Sequence, residues 1–298
     1  MNSNFTVLRL DQIIGPNQLN VFKRYGTEAA PSMYAVRRGV EDFILKGKYY
    51  AAKNMEVNGT LLDKACCEYW TSTRVEGSIA KCYAFGKLDA IPEAAWSDNN
   101  GIRLVVPLDV IKDKITDSYT IQGEGGDVKV VVYGEYPQDV LKTEEKYEMN
   151  AVYNDGEAKP TGKTYSAVGY KTEMFYDGNE RHFERDEYPE YEYKGEKYVL
   201  GKNAYFHNGD SRFFWAKVQP IEWIVDEETG LAITKDCIVG GVPISRKGVY
   251  LGNFDKTLVQ DFIDSDLVDD FTPSKTGLKT MITESEATYE EDGFQKGL

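Results

Sequence analysis

Between residues 215 and 225 the chain alternates apolar and polar side chains, the two-residue period of a strand with one covered face. Glu227-Glu228-Thr229-Gly230 then turns it into Leu231-Ala232-Ile233-Thr234, which predicts a hairpin. Residues 128–136 read as another strand, ended by Pro137. Residues 188–200 predict a second hairpin, turning at Lys194-Gly195. Shorter strands are expected at 49–52 and 66–73, with a core strand at 102–108. Residues 142–215 are polar, tyrosine-rich and turn-rich, and predict several short strands.

Other segments carry helical spacing. Leu19, Phe22 and Tyr25 precede Gly26, the pattern of a short helix with a glycine stop. Pro31 followed by Met33, Tyr34, Val36 and Val40 predicts a second helix, with proline in its first turn. The longest covers residues 253–271, where Leu258, Val259, Phe262, Ile263 and Leu267 share one face. Its opposite face carries Asp255, Asp261, Asp264, Asp266, Asp269 and Asp270. The EF-hand order with its central glycine is absent, so a solvated acidic face is expected rather than a calcium site.

Gly123-Glu124-Gly125-Gly126 is the clearest breaker cluster. It divides the chain into residues 1–122 and a β-rich half, 127–272, that ends in the helix. Residues 273–298 are rich in Ser, Thr, Lys and Glu and read as a polar tail unable to support its own folding. The class expected from this organisation is α+β, with small antiparallel sheets and two or three helices.

The formal net charge of −14 argues against nucleic acid and anionic membrane as partners, because both need basic surface. Tyrosine dominates the aromatics, with 21 copies against 13 Phe and 4 Trp. It suits both a β-rich core and a binding surface, and composition alone does not separate the two. The cysteines, Cys66, Cys67, Cys82 and Cys237, have no C-x-x-C spacing, and His182 and His207 lie far from them. No metal and no cofactor is therefore expected. The opening residues lack the basic and apolar regions of a signal peptide, and no run approaches the length of a membrane span. A cytoplasmic protein without membrane insertion is the expectation.

The motifs of common enzyme classes are missing: G-x-S-x-G, HExxH, the P-loop, and GxGxxG after a strand. His182 sits among acids in Arg181-His182-Phe183-Glu184, a polar stretch in which a surface histidine is the simpler reading than a general base. With 49 acidic residues, carboxylate pairs are always findable and point to no glycosidase. No enzyme is expected.

Two stretches resemble a known scaffold. Tyr69-Trp70-Thr71-Ser72-Thr73, a long irregular segment, and then Gly101-Ile102-Arg103-Leu104-Val105-Val106-Pro107-Leu108 resemble the core of C-type-lectin-like domains of the formylglycine-generating-enzyme type. Bacteria and phages use that fold in the variable proteins of diversity-generating retroelements. In the second half, Tyr133-Gly134-Glu135-Tyr136-Pro137, residues 218–225 around Trp223, residues 231–234 and the 253–271 helix resemble the opening elements of an uncharacterised bacterial module of this type. Its closing elements match the first half, so the order is reversed here: a permuted single domain, or two subdomains. The likeness spans roughly residues 15–273. Leu-Val-Val-Pro follows Arg103 where the family has Pro-Ala-Leu, and the copper-binding cysteine pair of the oxidases has no counterpart, so their activity is not implied.

The resemblance implies roles for individual residues. Trp70 and Trp223 would be structural, and Arg103 would meet buried acceptors beneath a loop surface. The ligand-binding candidates are Arg74, Glu76, Ser78, Lys81, Tyr83, Lys87, Asp89, Trp96, Asp98, Asn99 and Asn100. Tyr83 and Trp96 would act as aromatic anchors among adaptable polar contacts. The function implied is recognition of a protein or glycan ligand by a display protein, cytoplasmic or on a phage particle, as a homo-oligomer or within a larger assembly. The alternatives are a structural particle component and an enzyme with an unrecognised acidic site.

Overall fold

The computed structural model describes residues 4–40, 43–45, 48–50, 56–57, 60–61, 67–75, 78–82, 91–93, 99–170, 183–204, 212–245 and 253–267. The fold is α+β, with a mostly antiparallel sheet and few helices. Strand β1 is Thr6–Val7. Two small pairs follow: β2 (Phe43–Leu45) with β3 (Lys48–Tyr50), and β4 (Glu56–Val57) with β5 (Thr60–Leu61). Strands β6 (Tyr69–Val75), β7 (Ser78–Cys82) and β8 (Ile91–Glu93) form a three-stranded sheet. The rest belong with β1 to the main sheet: β9 (Leu104–Pro107), β10 (Asp117–Gly123), β11 (Gly126–Val140), β12 (Lys159–Tyr170), β13 (Phe183–Tyr193), β14 (Glu196–Lys202), β15 (Phe213–Asp226) and β16 (Leu231–Thr234). The helices are α1 (Leu10–Ile13), α2 (Asn20–Tyr25), α3 (Met33–Arg37), α4 (Leu108–Ile111), α5 (Thr143–Asn154) and α6 (Leu258–Phe262).

Strand β15 is the trunk of the main sheet. Along one edge it pairs with β11, from Val130↔Ile224 to Val140↔Ala216. Its other edge is shared: β14 takes Phe213 to Lys217 and β16 takes Trp223 to Asp226. Beyond β16 come β9 and β1, so strands from both halves of the chain lie in one sheet.

Two cores cover the faces of this sheet. Because successive side chains point to opposite faces, each strand contributes to both. Leu104, Val106, Val131, Tyr133, Ala232, Trp223 and Val225 enter one core, and Val105, Val128, Val130, Ile224 and Ile233 enter the other. Helices α1 and α2 cover the second core through Ile13, Val21 and Phe22, whereas α6 lies on the first through Val259 and Phe262. A third, smaller cluster joins α5 to the sheet, with Met149 and Val152 against Trp215.

Several local expectations change. The Gly123–Gly126 cluster is the turn of the β10–β11 hairpin, paired Gly123↔Gly126. Its glycines are needed because the turn presses on α2. A Cβ at Gly123 would lie 2.2 Å from the Arg24 carbonyl oxygen, and one at Gly125 would lie 2.2 Å from that of Lys23. Strand β11 does not stop at Pro137 but continues to Val140, across register shifts between Val132 and Glu135 and between Pro137 and Asp139. The second shift lets the ladder tolerate a residue with no N–H.

Residues 142–215 hold the long strands β12 and β13 and the helix α5, where the sequence predicts short strands. Only Met149 and Val152 of α5 are buried, too few to print a helical period on the sequence. Pro31 stands outside α3, in a parallel bridge with Cys237, and Ser32 caps the helix instead. The 253–271 helix is broken: a 3-10 turn (Phe254–Lys256), then α6 capped by the Thr257 side chain, then a π turn (Ile263–Leu267). Its acidic face is partly covered, since Arg185 of β13 pairs with both Asp261 and Asp266. Residues 268–298, including the expected tail, lie outside the described residues, as do His182 and His207.

Candidate functional site

The segment between Trp70 and Arg103 leaves and re-enters the fold at one point. Tyr69 and Gly101 form a parallel bridge. The Trp70 N–H donates to the Gly101 carbonyl at 3.0 Å, and the Gly101 N–H donates to the Glu68 carbonyl at 2.8 Å. Neighbouring bonds tie this neck to the rest of the molecule: Cys67 N–H to Ala29 O, Cys237 N–H to Ala30 O and Ile102 N–H to Val239 O. Gly101 has no room for a side chain. A Cβ there would lie 2.8 Å from the Cys237 Cβ, 2.9 Å from its Sγ and 3.3 Å from the Cys67 Sγ. Both cysteines are buried as thiols.

Large side chains fill the space beneath the neck. Trp70 is fully buried and its indole Nε1 donates to the Val242 carbonyl at 3.0 Å. Tyr69 donates its hydroxyl to the Thr27 carbonyl at 2.7 Å. Trp223, also fully buried, donates Nε1 to the Tyr133 carbonyl at 2.9 Å and meets Phe5 edge-on. Arg103 is 1% exposed and, among the described residues, has no carboxylate as a hydrogen-bond acceptor. Its Nε donates to Thr234 O at 2.9 Å, Nη1 to Thr27 O at 3.1 Å, and Nη2 to Lys235 O at 3.4 Å. The guanidinium also lies over the Phe22 and Tyr69 rings, 5.0 and 5.5 Å from their centroids. Burial works against this charge, but Tyr69, Cys237 and Tyr25 around it outweigh that and raise the Arg103 pKa. The planar fork suits three carbonyls from two separate segments, a task one lysine ammonium cannot match.

The candidate contact residues separate into groups. Arg74 is exposed at the end of β6, and Asn99 is half-buried. Ser78 and Lys81 lie in β7, opposite Val75 and Trp70. Asn100 is fully buried beside Gly101, so it belongs to the neck and not to a contact surface. Glu76, Tyr83, Lys87, Asp89, Trp96 and Asp98 lie outside the described residues. The segment is also less irregular than expected, because β7 pairs with both β6 and β8. Among the described residues, no group of three or more His, Cys, Asp or Glu is arranged to hold a metal ion, and no helix is long and apolar enough to cross a membrane.

A separate concavity of about 560 Å³ opens between the start of α3, the β10–β11 hairpin and β15. Val132, Ile221 and Ile238 line it together with the polar residues Asp117, Tyr119, Asp139, Glu222 and Asp236. Glu222 accepts hydrogen bonds from both the Tyr119 hydroxyl and the Lys235 ammonium. Burial and that bond push the Tyr119 phenol up to about 12. Burial opposes the Lys235 charge, but the Glu222 bond and the nearby Asp236 carboxylate raise its pKa overall. The sequence hides this site because its residues come from distant strands whose alignment depends on the β11 register shifts.

No family model matches the chain, and neither a curated protein nor a solved structure matches it.

Proposed function

We propose that this chain is a non-enzymatic recognition protein with a C-type-lectin-like scaffold, which displays residues 74–99 to a protein or glycan ligand. The neck is the observation that supports this reading. A long excursion starts and ends at bonded neighbours, Trp70 and Gly101, above a buried arginine and two buried aromatic residues. Such a frame holds the segment's ends while leaving its interior positions free to vary, which is the demand on a diversified binding surface.

The reading extends to a variable protein of a diversity-generating retroelement, acting in the cytoplasm or on a phage particle. Deep sequencing of the gene and its flanking DNA across the source population tests it. Substitutions should concentrate at adenine-bearing codons within residues 74–99, beside a near-copy template, with Trp70, Gly101 and Arg103 constant. Substitutions spread evenly along the gene, with no template, would remove the retroelement reading.

A further inference from the structure

The concavity beside β15 has a chemistry of its own, independent of the 74–99 segment. At about 560 Å³ it has the size of a small-ligand site. It lies where β11 shifts register twice against β15, between Val132 and Glu135 opposite Pro220–Glu222 and between Pro137 and Asp139 opposite Lys217–Val218. Bulges of this kind re-aim side chains and recur beside functional sites. The apolar floor that a ligand can reach comes from Met33, Val132 and Pro220, with Ile221 and Ile238 fully buried behind it.

The rim is anionic. Asp117, Asp139, Glu222 and Asp236 all line the cavity, and no Lys or Arg does so among the described residues. Lys235 abuts the site through Glu222. Asp139 accepts from the neutral Gln219 amide at 3.0 Å, and Asp117 accepts from the adjacent Ser118 N–H at 2.8 Å. Those bonds orient the carboxylates without neutralising them. The start of α3 does not turn the site toward anions, since the Ser32 side chain accepts from Ala35 N–H and the Ser32 N–H donates to Cys237 O.

From the cavity, its apolar floor and this rim, we infer that the site binds an organic cation: a guanidinium or primary amine carried on a short methylene stem. The stem would lie on Met33, Val132 and Pro220 while the head meets the rim carboxylates in charge-assisted hydrogen bonds. Such a head group comes either from a free diamine-type metabolite or from a basic side chain of a protein.

Calorimetric titration of the full chain at low salt tests the inference with two probes, agmatine and the peptide acetyl-Gly-Arg-Gly-amide. At least one should saturate a single site, and the citrulline form of the peptide should bind at least about tenfold more weakly than the arginine form. Tighter binding of agmatine would identify a free cation, and tighter binding of the peptide a protein side chain. Asp117 and Asp139 are exposed at the rim, so Asp117→Asn with Asp139→Asn should leave the fold intact and weaken binding at least about tenfold. Asp155→Asn with Glu157→Gln, exposed beyond α5, removes the same charge elsewhere and should change affinity less than about twofold. Absence of binding by both probes at about 10 mM, or an equal loss in the two double variants, would overturn it.

Discussion

The Trp70 backbone N–H donates to the Gly101 carbonyl at 3.0 Å, so two residues separated by the whole candidate display segment are direct neighbours. The rigidity of this neck can be measured. Gly101→Ala would drive a methyl group into Cys237, and the backbone on either side is held by the Glu68 and Val239 carbonyls. A loss of about 1–3 kcal/mol is expected, read as a lower urea midpoint at unchanged slope. Adding Cys237→Ala should return only part of it, because it removes the Sγ contact at 2.9 Å and leaves the Cβ contact at 2.8 Å. A neutral Gly101→Ala would mean the neck is loose.

Arg103 is the second test of the frame. Arg103→Lys keeps the charge but cannot serve the Thr27, Thr234 and Lys235 carbonyls together. Destabilisation of about 2–3 kcal/mol is expected in urea unfolding, the scale of leaving buried acceptors unpaired. An effect within about 0.5 kcal/mol would show that charge alone, not the fork, matters at this position.

Glu190 is a fully buried carboxylate that accepts from Tyr165 at 2.7 Å and Thr161 at 2.8 Å. Tyr165→Phe should cost about 1–3 kcal/mol because it strips one donor from a buried charge. Thr161→Val should act in the same direction, and the double variant should depart from additivity because both act on one carboxylate. Additive losses in a double-mutant cycle would contradict a shared network.

Alkaline pH should weaken the fold. Burial pushes the Tyr188 phenol up to about 12 from an ordinary 10.0, and the folded state therefore holds that proton more tightly than the unfolded chain. Its contribution is complete below pH 10 and is lost as pH climbs from 10 to about 12. Tyr119 shifts in the same direction, so Tyr188→Phe should flatten the decline only in part. Urea midpoints measured across this range, alongside tyrosinate absorbance, check the slope. A midpoint that stays level through the window would contradict it.

Much of the local structure was legible in the sequence. The hairpin at Lys194-Gly195, the β15–β16 hairpin around Thr229-Gly230 and the short helix closed by Gly26 are all present. Each depends on a few consecutive residues. Helix α5 was not legible, because its buried side holds only Met149 and Val152. The break before α6 was hidden for a different reason: it rests on the Thr257 side-chain cap, while the apolar stripe from Leu258 to Leu267 runs on through the π turn.

By itself the sequence determined the α+β class and the main hairpins, because two-residue alternation and turn chemistry act between near neighbours. Only the tertiary structure decided that the halves share one sheet, through pairs such as Val105↔Ile233. It also decided that Asn100 is buried in the neck, and that Asp117, Asp139 and Glu222 meet around one cavity. Those outcomes follow from strand pairing between distant residues and from register shifts, which leave no periodic mark along the chain.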